Sequence, residues 1–166
     1  LRYEDHGRYA PREGDPTHSH DNWDWLSGRL TLDYKTDNGW LIYSSLANAR
    51  KSGGFTGEDA KFIDPVTQIA SAQNVAIVEP YDPEKNWTVE VGIKGRTADR
   101  RLGLDLSAYR IDWSDIVLPQ TLTEYIDPTD GVLKGTSETV TLSRNTGDAT
   151  VWGWELQADL LIDDHW

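Results

Sequence analysis

A few short clusters hold the residue types that could do chemistry. "THSHD" at 17–21 places His18, His20 and Asp21 together. His-x-His beside a carboxylate can hold a divalent ion, since imidazole and carboxylate are both ligands for one. The same residues also fill an ordinary solvated loop, so no metal is expected and these three stand only as candidates. "DPTDG" at 127–131 matches part of a calcium-loop pattern but lacks its closing Glu, and Pro, Asp and Gly together make an ordinary turn. Asp112 and Asp115 have the look of a glycosidase carboxylate pair. Among 28 Asp and Glu residues, such pairs arise by chance. "NWT" at 86–88 fits a glycosylation sequon but falls inside a predicted strand. Arg50 and Lys51 head a long polar segment and could meet an anionic ligand, or else pair and snorkel at a strand end. There is no nucleophile elbow, no Gly-rich phosphate loop and no zinc-protease helix. With no Cys, thiol catalysis and disulfides are excluded. No enzyme activity, catalytic residue or cofactor is expected.

The scaffold must therefore explain the chain. Its 166 residues suffice for one domain with a sizeable core. The net charge of −12 argues against nucleic acid, which needs a basic footprint, and against a polybasic membrane anchor. The chain has no Met and opens in mid-phrase with "LRYEDHGRYA", so it is expected to be an internal piece of a longer protein. No apolar run approaches the ~18 residues of a transmembrane helix. The mean hydropathy of −0.61 does not exclude membrane strands, which alternate apolar and polar residues. Eight Trp and seven Tyr stand against two Phe. Trp and Tyr suit a membrane–water interface, though they also favour strands in any all-β protein.

The pattern along the chain is one of period two. Leu1–Glu4 reads as a strand end and 5–22 as a loop. Ser27–Lys35 alternates, "TDNG" at 36–39 signals a hairpin, and Trp40 to about Ala49 returns. Residues 50–82 show no sustained period. The stretch 86–95 alternates Trp87, Val89, Val91 and Ile93 with Thr88, Glu90, Gly92 and Lys94. A short turn, "GRTADR", leads to Leu102, Leu104 and Leu106, and that strand runs on towards Trp113. A second long segment spans about 117–147, with a possible short strand at 140–142. Last comes a strand with Trp152, Trp154, Leu156, Ala158 and Leu160 on one face.

Strands of about ten residues cross a tilted bilayer, whereas soluble strands average nearer five or six. Long and short connections alternate, as in outer-membrane barrels with long outer loops and short periplasmic turns. Unstructured loops of about 30 residues are uncommon in compact soluble domains. The expected fold is all-β: antiparallel strands of a transmembrane β-barrel, partial, with about six strands. Trp87, Val89, Val91, Ile93, Leu102, Leu104, Leu106, Trp152, Trp154 and Leu156 are then expected to face lipid. Trp40, Trp87, Trp113, Trp152 and Trp154 would form an aromatic girdle near strand ends. The alternative is a soluble all-β carbohydrate-binding or glycoside-hydrolase-like domain, and a non-transporting barrel such as an adhesin comes third.

Four phrases resemble one family in the right order. Lys51, Ser52, Gly53, Gly54 and Phe55 form the first. Pro83, Glu84, Trp87, Glu90, Gly92 and Lys94 form the second. Tyr109, Asp112, Trp113 and Asp115 form the third. Asn145, Gly147, Trp152, Gly153, Trp154 and Glu155 form the fourth. Over about 23–160 the chain resembles the C-terminal barrel region of TonB-dependent outer-membrane receptors. The resemblance implies that 1–166 is a fragment of one barrel domain in the outer membrane of a Gram-negative bacterium. It implies uptake of an iron-siderophore or similar nutrient chelate. The TonB complex would act through a plug region that this chain lacks, and outer-membrane lipid would surround the barrel.

Overall fold

The computed structural model describes residues 2–10 and 19–162; for 4–10 and 19–20 it describes the backbone only. Nine strands are present among these residues: β1 (Arg2–Ala10), β2 (Ser19–Lys35), β3 (Leu41–Lys51), β4 (Gly54–Ala60), β5 (Phe62–Ile63), β6 (Val75–Tyr81), β7 (Glu84–Arg96), β8 (Leu102–Ile126) and β9 (Leu133–Leu160). Seven form one sheet in the order β1-β2-β3-β7-β8-β9-β5, and β4 pairs with β6 in a hairpin of its own. Every pairing is antiparallel. The sheet therefore holds six long strands, the number expected, plus the two-residue β5.

The β2–β3 and β7–β8 turns lie at one end of this sheet, and the β8–β9 turn at 127–132 lies at the other. In the β2–β3 turn, Gly39 N–H donates to Thr36 O at 3.0 Å and Thr36 N–H to Trp40 O at 2.8 Å. Gly39 carries the left-handed φ of +86° that closes such a turn, so Asn-Gly does mark the hairpin. The β7–β8 turn is closed by Arg100 N–H to Thr97 O at 2.8 Å and Thr97 N–H to Leu102 O at 2.9 Å. Long excursions leave from the opposite end.

Register makes the two faces continuous across strands. Leu30 sits opposite Leu46, Leu46 opposite Val89, Val89 opposite Arg110 and Arg110 opposite Trp152. Nearer the turns, Tyr34, Ile42, Ile93, Leu106 and Leu156 make a second row. Partners share a face, so the apolar residues of five strands gather on one side. They are left largely uncovered: Trp152 is 77% exposed, Trp154 67% and Leu32 65%. The stretch Leu102–Asp112 rises about 34 Å at ~3.4 Å per residue, or about 25 Å once tilted as barrel strands are. Arg110, Asp112 and Thr150 close the apolar band at the excursion end, with Asp112 accepting from Arg110 Nη2 at 2.9 Å and Thr150 Oγ1 at 2.9 Å.

The opposite face is polar and carries Thr31, Asp33, Glu90, Lys94, Asp105 and Glu155. Tyr43 donates to Glu90 Oε1 at 2.9 Å, and the Lys94 ammonium stands 5.7 Å from the Tyr43 ring centre. The ring lies across Gly92 of the next strand, where a Cβ would come within 2.4 Å of Tyr43 Cζ. Tyr109 covers Gly153 in the same way, at 2.7 Å from its hydroxyl. Glycine in these strands makes room for a neighbouring ring.

Three expected loops are instead strands. Of residues 5–22, 5–10 belong to β1 and 19–22 to β2, because polar residues continue the ladder well beyond the apolar band, and 11–18 lie outside the described residues. Residues 50–82 hold β4, β5 and β6, and 117–147 is the far part of the β8–β9 hairpin, including the strand suspected at 140–142. Alternation is lost there because these strands bury one another in a small core rather than facing two media. That core is Phe62, Ile77, Val140, Leu142 and Ala60, each at most 3% exposed.

Two bulges connect the regimes. Between Trp113↔Ala149 and Ile116↔Gly147, three steps along β8 match two along β9. Between Ile116↔Gly147 and Val117↔Asn145, one step along β8 matches two along β9. Each strand has inserted one residue, so the pairing resumes while the facing parity of both strands changes. Even-numbered Leu142 and Val140 thereby join the side that Gly153 and Glu155 occupy below. Asp115 takes up one insertion at φ +57°. Trp113 departs from the girdle expectation, since it stands on the polar face.

Phe62→Ala is expected to destabilise the β4–β6/β8–β9 unit by about 3–5 kcal/mol through the cavity it leaves. Limited proteolysis should then nick 61–74 while β2, β3 and β7 stay intact. Equal resistance of both proteins would show that this core does not hold the excursions.

Candidate functional site

At the excursion end of the polar face, β3, β7 and β8 frame a hollow of about 410 Å³ lined by Ala49, Arg50, Lys51, Glu84, Asn86 and Trp113. Glu84 is 3% exposed, a position a carboxylate occupies only when its charge is met. Its Oε1 accepts from Lys51 Nζ at 2.7 Å and its Oε2 from the Trp113 indole N–H at 3.0 Å. Lys51 faces Glu84 directly across the ladder, so the backbone register builds the pair. The result is a preformed wall of indole, amide and ion pair. Such a wall can stack a planar group and hydrogen-bond its polar edge.

Lys51 was a candidate for an anionic ligand; its ammonium pairs with Glu84 while its side chain stays 73% exposed. Arg50 lies one residue along β3 from Lys51, so it points to the other face, the one carrying Asn48 and Trp87. Both residues border the hollow, but their side chains leave β3 on opposite faces. Asp112 and Asp115 are likewise apart in role. Asp112 binds Arg110, and Asp115 Oδ2 binds Lys85 Nζ at 2.6 Å. Of the histidine cluster, His18 lies outside the described residues, and His20 is described only as backbone paired with Tyr9. Asp21 Oδ1 accepts from the Asn22 N–H at 2.9 Å. Among the described residues no group of three His, Cys, Asp or Glu is placed to hold a metal. The 127–131 segment is a turn. Asp127, 4% exposed, and Asp130 both accept from Lys134 Nζ, at 2.9 and 2.5 Å.

Above the hollow the excursions are tied together. Asn145 is the staple: its Oδ1 accepts from Asp82 N–H at 2.7 Å, and its Nδ2 donates to Asp82 O at 2.9 Å and Asp115 O at 2.7 Å. One amide thus joins the end of one excursion to the bulge that begins the next. Further out, Glu79 of β6 takes a two-pronged bond from Arg144, Nε to Oε2 and Nη2 to Oε1, both at 2.8 Å. Tyr125 also donates to Glu79, and the Arg144 guanidinium lies 5.8 Å from the Tyr125 ring centre. Arg144 and its companion hydrogen bond from Tyr125 hold the Glu79 carboxyl below its ordinary value despite burial. Burial and the Glu79 carboxylate push the Tyr125 phenol up to about 12. β4 adds side-chain caps to the edge of β9, with Thr141 N–H donating to Glu58 Oε2 at 2.6 Å and Ser143 N–H to Thr56 Oγ1 at 3.1 Å.

Sequence reasoning assigned no role to Glu79, Tyr125, Arg144 or the Glu84–Trp113 pair. Glu84, Trp113 and Asn145 do stand within the family-like phrases. Glu79, Tyr125 and Arg144 come from segments without periodicity, and only tertiary pairing brings them together.

The family model "TonB dependent receptor-like, beta-barrel" matches residues 1–166. Among solved structures, the chain is similar to the ferric yersiniabactin uptake receptor FyuA of Yersinia pestis, at 21% identity and a TM-score of 0.53. That match covers 89% of this chain and 17% of FyuA. The siderophore receptor PirA of Acinetobacter baumannii matches at 16% identity and a TM-score of 0.50, over 89% of this chain and 22% of PirA. The likeness to both is one of fold. A comparison with curated proteins returned no match.

The Glu79–Arg144 contact has a defined pH window. Because the native carboxyl lies below its ordinary 4.5, the pair stabilises the docked hairpin at neutral pH and is lost as pH falls through the lowered native value. Glu79→Gln is expected to lower amide protection in β6 about tenfold at pH 7, for ~1–2 kcal/mol, with the two proteins converging in strong acid. A difference that stayed constant with pH would assign the effect to packing rather than charge.

Proposed function

The chain belongs to the TonB-dependent receptor β-barrel family, and from that premise we propose that 1–166 is one stretch of the barrel wall and outer loops of a nutrient-uptake receptor in a Gram-negative outer membrane. The observation that carries this reading is the two-faced sheet. Five adjacent strands present a continuous, uncovered apolar band on one side and charged residues on the other. In a soluble sandwich that band would be packed against a second sheet. Here the small core sits beyond the band, among the excursions, and leaves the band bare. In lipid the same band is the ordinary outer surface of a barrel.

In this reading Trp87, Val89, Val91, Ile93, Leu102, Leu104, Leu106, Trp152, Trp154 and Leu156 face lipid. The tight turns at 36–40 and 97–101 lie on the periplasmic side, and the excursions lie outside the cell. The ligand is an iron-siderophore or comparable nutrient chelate, the cargo class named for the two structural relatives. The hollow beside Trp113 and Asn86 and the inward side of the β4–β6 hairpin form part of its path. The chain binds and conducts; it makes and breaks no bond. Energy comes from the TonB complex acting on a plug supplied by the rest of the receptor. The membrane part of β9 pairs with β8 on one side and needs a further strand on the other, because open edges are not tolerated in lipid.

Two measurements test this. Nitroxides on single cysteines at Val89 and Leu106 of the full receptor in bilayers are expected to meet oxygen, and those at Glu90 and Asp105 to meet an aqueous nickel chelate. The reverse pattern, or water at all four, would end the barrel reading. Deleting the receptor is expected to abolish growth on a cognate ferric chelate as sole iron source, as is inactivating the TonB complex. Unimpaired growth on every chelate tried would remove iron as the cargo while leaving the barrel intact.

A further inference from the structure

The apolar face is not evenly filled. In the row shared by Leu32, Ser44, Val91, Ala108 and Trp154, the residues at Ser44 and Ala108 are small, and their neighbours above and below are Leu46, Ile42, Arg110 and Leu106. A groove of about 710 Å³ results, walled by Leu32 and Tyr34 on one side and Trp154 on the other. Its floor belongs to β3, β7 and β8, each of which has a neighbouring strand on both sides, so no further strand of the sheet can fill it.

The excursion end of the groove is marked by charge. Arg110 follows Ala108 on the same face, two residues nearer that end. It donates through Nε and Nη2, at 3.1 and 2.9 Å, both to the single oxygen Oδ1 of Asp112, and its Nη1 has no partner among the described residues. Both side chains are well exposed, at 64% and 50%. Lys85 and Arg50 stand opposite each other on this face, beyond the apolar band. Lys85 is paired with Asp115, and Arg50 has no partner among the described residues. On β3, β7 and β8 the end of the band thus presents three cations to two carboxylates, in a chain whose net charge is −12. An apolar groove capped by an under-used guanidinium fits an amphiphile with a tail and a negative head.

We propose that this face binds one phosphate-bearing anionic lipid, with an acyl chain in the Ser44–Val91–Ala108 groove and its phosphate on Arg110 Nη1. The site rests on the lipid-facing assignment proposed above. It differs from general wetting by lipid in its fixed depth and in its headgroup contact.

The test uses the full-length receptor in nanodiscs of phosphatidylcholine with a minor share of phosphatidylglycerol of the same chains. Lipid retained on the protein is counted by native mass spectrometry as activation is raised. The wild type is expected to hold one phosphatidylglycerol beyond the point where phosphatidylcholine is lost. Ala108→Trp fills the groove from the lipid side and is expected to reduce retention of both lipids at least tenfold. Arg110→Gln leaves the groove open and is expected to abolish only the preference for phosphatidylglycerol. Equal retention in all three proteins overturns the proposal, as does a receptor dimer that Ala108→Trp dissociates without changing lipid. A nitroxide at Leu30→Cys, on the same face outside the groove, separates the two failures. If it meets oxygen while retention is unaffected, this site alone fails; if it meets the aqueous nickel chelate, the lipid-facing assignment fails with it.

Discussion

A backbone in lipid has no water to turn to, so each N–H and C=O must be met within the protein. That demand organises everything else in this chain. It requires strands long enough to cross, paired without a break, and it leaves side chains to answer the two media. The one place where pairing partners change along β2 shows how closely the demand is met. At Ser27–Gly28 the strand leaves β1 and takes up β3, and Asn48 bridges the step. Its Nδ2 donates to Leu26 O at 2.7 Å and its Oδ1 accepts from Gly28 N–H at 2.9 Å. A side-chain amide stands in for the missing rung.

Beyond the band the physics changes. Water is at hand, and the strands are held instead by a small apolar core and by charge-assisted bonds between excursions. These bonds are few and highly shared. Glu84 serves β3 and β8 at once, Glu79 serves Arg144 and Tyr125, and Asn145 serves two excursions. Among the described residues, no buried side-chain polar atom lacks a hydrogen-bond partner. Losing one member of such a cluster strands the others, which is why buried charges here matter more than their number suggests.

How much of this could be read from sequence follows the same division. Wherever a strand faces two media, alternation reports it, and 86–95 and 102–106 were placed to within a residue or two of β7 and the start of β8. Asn38-Gly39 marked its turn because only a residue free to take positive φ closes it. Apart from the strand suspected at 140–142, the far part of β8 and β9 was invisible because Val140 and Leu142 are buried by neighbours distant in sequence, and two bulges reset the parity. The start of β1 was read as a strand end at Leu1–Glu4, but the rest of β1 and the start of β2 were hidden because the residues between His6 and Asp24 are mostly polar and carry no alternation. The Glu84–Lys51 pair was partly legible, since pairing was one of the readings weighed for Lys51. The contribution of Glu84 was not, because it requires knowing that residues 51 and 84 stand opposite each other.

The paired bulges have a consequence for which medium each side chain meets. An unmatched insertion in a membrane strand would turn every later side chain to the wrong medium. Here the two insertions fall at the rim, one in each strand, and they absorb a change of parity where water tolerates it. The facing of residues 117–145 is therefore reset at the rim, independently of the parity of the wall beneath. The side-chain parity of the far hairpin is thus set apart from that of the sheet beneath.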